Sequence, residues 1–280
     1  MLERTMIKLI ANLSNHCVLA AMTIAGPFFI LESINPNSAR ADGVSSSIKV
    51  YFSGVRVGKL KQTVSIDGDN YSISGSAKSN AVISIVANTK ASYSSSGKLE
   101  GRNIIPNTQS ITYKSGKKAG NATLTFDKQA VVKISATPAI KYKPGSVEVT
   151  QDHIKKVLDP VSSLIFPVEP SQVGKGSAIC NRTVPIFDGK NRIDLKFSYK
   201  SSSNQSTKGF SGQVVTCRVK YVPVAGHRPT SKGTAFMMTN NNIEVSLARV
   251  ANSNVYSLFG FTVPIRKGTV TGKASKYKIH

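Results

Sequence analysis

The stretch that decides the fold is 180–228. It reads CNRTVPIFDGKNRIDLKFSYK at 180–200, SSSNQSTKGFSG at 201–212 and QVVTCRVKYVPVAGHR at 213–228. Ile193, Leu195, Phe197 and Tyr199 alternate with Asp194, Lys196, Ser198 and Lys200. Val215, Cys217, Val219 and Tyr221 alternate with Thr216, Arg218 and Lys220. Successive side chains of a strand point to opposite faces, so each segment carries one apolar and one charged face. The polar run between them predicts a turn-forming connector, and the whole a long hairpin with one face buried.

Outward from that hairpin, the chain repeats the pattern. Toward the N-terminus, short alternating segments at IKVYF, KQTVSI, NYSISG, Ala81–Ala87, ASYSS, SITYKS, ATLTF and VVKISAT are punctuated by Gly, Ser, Asn and Lys. Asp67-Gly68 is a hairpin-type turn. KYKPGSVEV at 141–149 reads as a proline-punctuated crossover. Toward the C-terminus, TAFMMT and IEVSLARV are expected to pair around Asn240–Asn242. Val255 to Ile265 alternates before Arg266-Lys267-Gly268 turns into a last strand. This spacing predicts an all-β fold, an antiparallel β-barrel-like or highly curved sheet, closed or nearly closed.

One segment reads as helical. In TQDHIKKVLDPVSSL (150–164), Thr150 is a candidate cap, Asp152 suits a first turn, and Ile154, Val157, Leu158, Val161 and Leu164 recur at helical spacing. Asp159-Pro160 reads as a fresh cap and first position. A short helix at 150–164 is expected to cover one mouth of the barrel.

Residues 1–41 carry a secretory pattern. Arg4 and Lys8 precede the apolar run Cys17–Leu31, and Ala39-Arg40-Ala41 is a small-x-small cleavage site before Asp42. The run contains Gly26 and Pro27 and is short for a membrane span, although an uncleaved anchor is the alternative. The expected domains are a signal peptide at 1–41 and a single β-domain at 42–280. The secretory pattern predicts export of the mature chain, and no later stretch is apolar enough to span as a helix.

An oxidising compartment bears on Cys180 and Cys217, the two cysteines of the mature chain. A bond between them is the favoured reading, and two free buried thiols the alternative. Too few Cys and His are present to suggest a metal, and no cofactor motif is present.

The full chain carries 37 Lys and Arg against 14 Asp and Glu, a formal charge of +23. Such a charge ordinarily raises nucleic acid as a partner. Export argues against that, and so does the thin supply of aromatics for stacking, with Trp absent. The lysines are scattered singly along strand faces. The expected partners are anionic envelope components (lipid, lipopolysaccharide or wall polymer) or envelope proteins, with solubility alone as the competing account of the charge.

Asp188, Arg192, Asp194, His227 and Arg228 are the candidate anion or ligand contacts. Two carboxylates with a histidine could perform acid–base work if they converged. Each also has a simpler role. Asp188-Gly189 is a turn, Asp194 can pair with Arg218 or Lys220 across a strand, and 226–229 is a loop. No nucleophile, metalloprotease or phosphate-loop motif occurs.

VLDPVSSL at 157–164, Cys180 with NRTVPIFDGKNRIDL, and CRVKYVPVAGHRP at 217–229 resemble an exported family of Gram-negative bacteria, domain of unknown function 3108. YFSGVRVGKL at 51–60 is similar to its opening pattern. The resemblance spans roughly 50–280 and implies a barrel-like periplasmic domain whose cysteine pair is Cys180 and Cys217. It implies no activity. The function expected is therefore non-catalytic envelope binding or maintenance. A carrier of a lipid or other hydrophobic ligand is the alternative, with small inward residues (Ala81, Ala87, Ala122, Ala136) permitting a cavity. A hydrolase using Asp188, Asp194 and His227 comes third.

Overall fold

The computed structural model describes residues 42–79 and 88–280. The proposed signal segment with Ala39 and Ala41, and the expected strand at Ala81–Ala87, lie outside the described residues.

Seven antiparallel strands come first: β1 (Asp42–Phe52), β2 (Val55–Asp67), β3 (Asn70–Ser79), β4 (Thr89–Glu100), β5 (Asn103–Ser115), β6 (Lys118–Asp127) and β7 (Ala130–Thr137). After an irregular strap come β8 (Ile165–Pro167), α1 (Gly176–Cys180), β9 (Arg182–Phe187), β10 (Arg192–Thr207) and β11 (Phe210–Ala225). The chain ends with α2 (Lys232–Thr239), β12 (Ile243–Arg249), β13 (Val255–Ile265) and β14 (Gly268–Ile279). They form one sheet in the order β7 to β1, then β14 down to β9, with β8 paired to β13.

The sheet is not closed, so of the expected forms it takes the highly curved, barrel-like one rather than a closed barrel. Its two edge strands are β7 and β9, and the strap bridges part of the gap between them. The Leu158 N–H donates to Pro185 O at 2.8 Å, and Phe187 N–H donates back to Leu158 O at 2.9 Å. Val157 N–H donates to Gln129 O at 3.1 Å, in the turn between β6 and β7.

The expected covering helix at 150–164 is absent. Two short 3-10 turns, Gln151–Ile154 and Ser162–Leu164, replace it. Lys155 is extended and Lys156 takes a positive φ of 50°, so Val157 and Leu158 enter the strand-like bridge instead. The apolar positions do turn inward, Val157, Leu158 and Val161 being buried. Tertiary pairing, not local propensity, chooses the conformation.

Asp159 anchors the strap as a cap, as the sequence suggests. It is fully buried, and its Oδ1 accepts the Val161 and Ser162 N–H groups, each at 2.8 Å. Its Oδ2 accepts from the Ser162 hydroxyl and from Ser95 Oγ at 3.0 Å. Tyr71 Oη lies 2.6 Å from Ser162 Oγ, so β3 and β4 grip the strap through one hydrogen-bonded cluster. Burial pushes the Asp159 carboxyl above its ordinary range, against the pull of these donors.

TAFMMT is helical in α2, not a strand. Ser231 caps it, its hydroxyl accepting from Thr234 N–H, and Met237 packs inward. The polar run 201–212 is not a connector either. β10 and β11 extend through it to a tight turn at Lys208 and Gly209, the latter at φ +81°. Register partners Ser203 with Val214 and Asn204 with Gln213 continue the ladder into that arm. Its tip then reaches β14, where Tyr277 N–H donates to Lys208 O at 3.0 Å.

Cys180 and Cys217 are bonded, with Cα atoms 5.5 Å apart, joining α1 to the middle of β11. Among the described residues, large side chains pack into the interior. Tyr256, Tyr277, Phe166 and Phe187 are fully buried, and Phe210, Phe259 and Tyr277 pack ring against ring at 5.1–5.6 Å. Val161 of the strap, Ile165 and Phe166 of β8, and Val168 just after it share a core with Val64, Ile66, Tyr71 and Ile73. Ala122 and Ala136, read as small inward positions, are half-buried.

Gly75 shows how one inner position is specified. The Tyr93 ring occupies the space where a β-carbon would stand, and Tyr93 Oη donates to Lys61 O at 3.2 Å. Gly75→Ala is therefore expected to displace the ring and cost about 1–3 kcal/mol, as overpacking does. Urea unfolding monitored by tyrosine fluorescence checks this, and an unchanged midpoint would refute it.

Candidate binding face

The five predicted contact residues gather at one end of the β10–β11 hairpin. Asp188 sits in the turn from β9 to β10, with Gly189 at φ +87°. Its Oδ1 accepts the N–H groups of Lys190 at 2.8 Å and Asn191 at 2.5 Å, and Asn191 Nδ2 donates to Oδ2 at 3.0 Å. Burial pushes this carboxyl up while those donors oppose the shift. Asp194 bonds Arg192 Nη1 at 2.7 Å, not Arg218 or Lys220. Register explains the correction: Asp194 stands opposite Val222, whereas Lys220 faces Lys196 and Arg218 faces Ser198.

The loop 226–228 lies beside that turn. Arg192 is opposite Ala225, and the backbone of Gly226 presses on Lys190 and Asn191 so closely that no β-carbon fits. Gly226 N–H and His227 O bond Val147 O and N–H, each at 2.8 Å. His227 Nδ1 is buried without a partner among the described residues, and Arg228 is half-buried. The structure thus brings the five residues to one region, yet both carboxylates are spoken for by turn and strand geometry. Ser162 and Asp159, an Asp–Ser contact in space, are enclosed in the core.

A different feature dominates the outer face of β1–β5, the face turned away from the core. Pairing register places hydroxyls side by side across the strands. Ser45 stands opposite Thr63, Thr63 opposite Ser74, Ser74 opposite Ser94 and Ser94 opposite Ser110. A second row two residues along the strands holds Ser47, Lys61, Ser76, Ser92 and Thr112. Between the rows runs a trough of about 660 Å³, open to solvent, with the backbone of Gln62, Gly75, Tyr93 and Ile111 as its floor and Lys276 at one end.

Beside this trough lies a ladder of lysines. Lys273 of β14 is opposite Lys49, Lys49 opposite Lys59, Lys59 opposite Lys78, Lys78 opposite Lys90 and Lys90 opposite Lys114. Neighbouring strands are about 4.8 Å apart, so these six ammonium stems are spread over roughly 24 Å. Among the described residues none of the six makes an ion pair with a carboxylate. The sequence reading of singly scattered lysines is thus corrected. Positions 49, 59, 78, 90, 114 and 273 are far apart in the chain and adjacent in the sheet.

Among the described residues no helix is long and apolar enough to cross a membrane. No functionally curated protein matches the chain. Among solved structures, the chain is similar to a β-barrel-like protein of domain of unknown function DUF1849 from Brucella abortus. The two share 9 % identity over 86 % of this chain and 99 % of that one, with a TM-score of 0.47. It is also similar to a candidate lipoprotein from Parabacteroides distasonis, at 10 % identity over 85 % and 95 % of the two chains, with a TM-score of 0.33. Residues 47–274 match the family described as Protein of unknown function (DUF3108), and the chain belongs to that family.

Proposed function

We propose that this is a non-catalytic protein of the bacterial periplasm, exported by residues 1–41, that binds an anionic component of the cell envelope through the outer face of β1–β5. The lysine ladder carries this reading. Like charges placed directly opposite on a sheet repel and weaken pairing, so six in register are a costly arrangement unless an anion offsets them. The hydroxyl rows beside them offer further donors to the same ligand.

The competing roles have less support. A hydrophobic carrier needs an apolar lumen, and here Tyr256, Tyr277 and Phe166 occupy the interior. A hydrolase needs free acid and base groups, whereas Asp188 and Asp194 are each held by local partners.

The test is binding of residues 42–280 to immobilised heparin, used as a generic polyanion, over a series of salt concentrations. Releasing counterions makes log affinity fall with log salt by about 0.7 per engaged cation on a single-stranded polyelectrolyte, so a slope near −4 is expected for six lysines. Absence of binding at low salt, or binding indifferent to salt, would overturn the reading.

A further inference from the structure

We infer that the ligand of this face is a linear acidic polysaccharide, lying in the trough across the strands with its charged groups along the lysine ladder. The inference rests on the proposed anion-binding role and specifies its partner. Three features of the face select the class.

The first is linearity. Lys49, Lys59, Lys78, Lys90 and Lys114 form one continuous row set by backbone register, flanked by Lys273. Their spacing, about 4.8 Å, is of the order of one sugar residue, so successive charged sugars would meet successive strands. The second is the hydroxyl bed. The nearer wall of the trough lies two residues from the ladder, about 7 Å away along the strands. Its Ser76, Ser92 and Thr112, with Ser74 and Ser94 opposite, present hydroxyls that both donate and accept, as sugar hydroxyls require. The third is what the face lacks among its described lining. Ser and Thr offer nothing apolar to enter a bilayer, and the one aromatic at the trough, Tyr93, turns its ring inward over Gly75. Lipid insertion and base stacking both need such groups.

The experiment measures binding of residues 42–280 to four probes: polygalacturonate, phosphatidylglycerol vesicles, a single-stranded DNA oligonucleotide, and neutral dextran. It compares wild type with the triple variant Lys59→Gln, Lys78→Gln, Lys90→Gln. A charge-matched control carries Lys141→Gln, Lys143→Gln, Lys175→Gln, at exposed sites off the ladder. Polygalacturonate should be bound in preference to the other three. The ladder variant should lose roughly tenfold or more at low salt, with a salt slope shallower by about 2, while the control keeps its affinity. The ladder variant should melt no lower than wild type, because opposed like charges are removed.

Binding to vesicles without binding to polygalacturonate would overturn the polysaccharide assignment and leave the proposed function standing. DNA bound as tightly as polygalacturonate would overturn it as well. Equal losses in both triple variants would show that the ladder is not the site. Binding to no anionic probe would overturn this inference and the proposed function together.

Discussion

Asp159→Ala is expected to destabilise the fold by about 2–5 kcal/mol, whereas Asp159→Asn is expected to be close to neutral near pH 7. The alanine leaves the Val161 and Ser162 N–H groups buried without an acceptor, at about 1–3 kcal/mol each. The Ser95 hydroxyl retains Thr108 O at 3.2 Å, so its loss is partial. Asparagine keeps an oxygen in the Oδ1 position and offers an amine to the serines. It also removes the burial of a charge.

The two variants carry a pH signature. The Asp159 carboxyl is raised in the folded state above its unfolded value of about 3.9, so folding binds a proton there. Its contribution is fully present below the unfolded value and is lost as pH rises through the folded one. The stability of wild type relative to Asp159→Asn should therefore fall as pH increases across that interval. Denaturant titrations at a series of pH values measure the difference. A difference that grows with pH would mean that the donors outweigh burial and that the carboxyl is lowered.

Breaking the Cys180–Cys217 bond is the other large expected effect. The bond closes a loop with a sequence separation of 37, which on the chain-entropy estimate restricts the unfolded state by about 4 kcal/mol. For a domain of this size that corresponds to a melting point lower by roughly 8–16 °C. Both sulfurs are buried, and the double variant Cys180→Ala, Cys217→Ala leaves small voids that add to the loss. Scanning calorimetry of the oxidised protein, the reduced protein and the double variant checks this. Equal melting points would mean that the core alone fixes α1 against β11.

The β-architecture was legible because period two is local information. Ile193, Leu195 and Phe197 do turn inward, although Tyr199 at the end of the series is exposed. The 150–164 segment misled for a physical reason. Val157, Leu158 and Val161 have helical spacing, but Leu158 gains more by pairing with Ile186 at the sheet edge. In α2 the readable signal was Ser231, three residues before Thr234, a cap that the apolar run TAFMMT obscured. The lysine ladder was beyond sequence reading altogether. Lys78 and Lys90 become neighbours only when the β3–β4 register is known, and Lys49 and Lys273 lie at opposite ends of the chain.

The order of strands has a kinetic consequence. β1 and β14 sit at the centre of the sheet, and Gly43 and His280 exchange backbone hydrogen bonds at 2.9 and 3.0 Å. Every other neighbouring pair in the main order is consecutive in the chain, β11 and β12 being connected through α2. Among the strand pairs of the described residues, this is the seam that unites residues more than 200 positions apart, such as Ser47 and Ser275. Such distant contacts bear the largest loop-closure entropy and slow folding. The first seven strands can assemble as local hairpins while the last are still being delivered. They then wait, with the long β1 edge unpaired, until β14 arrives. The middle of the finished sheet is therefore expected to form last, and an arrested chain would expose a strand edge that invites association.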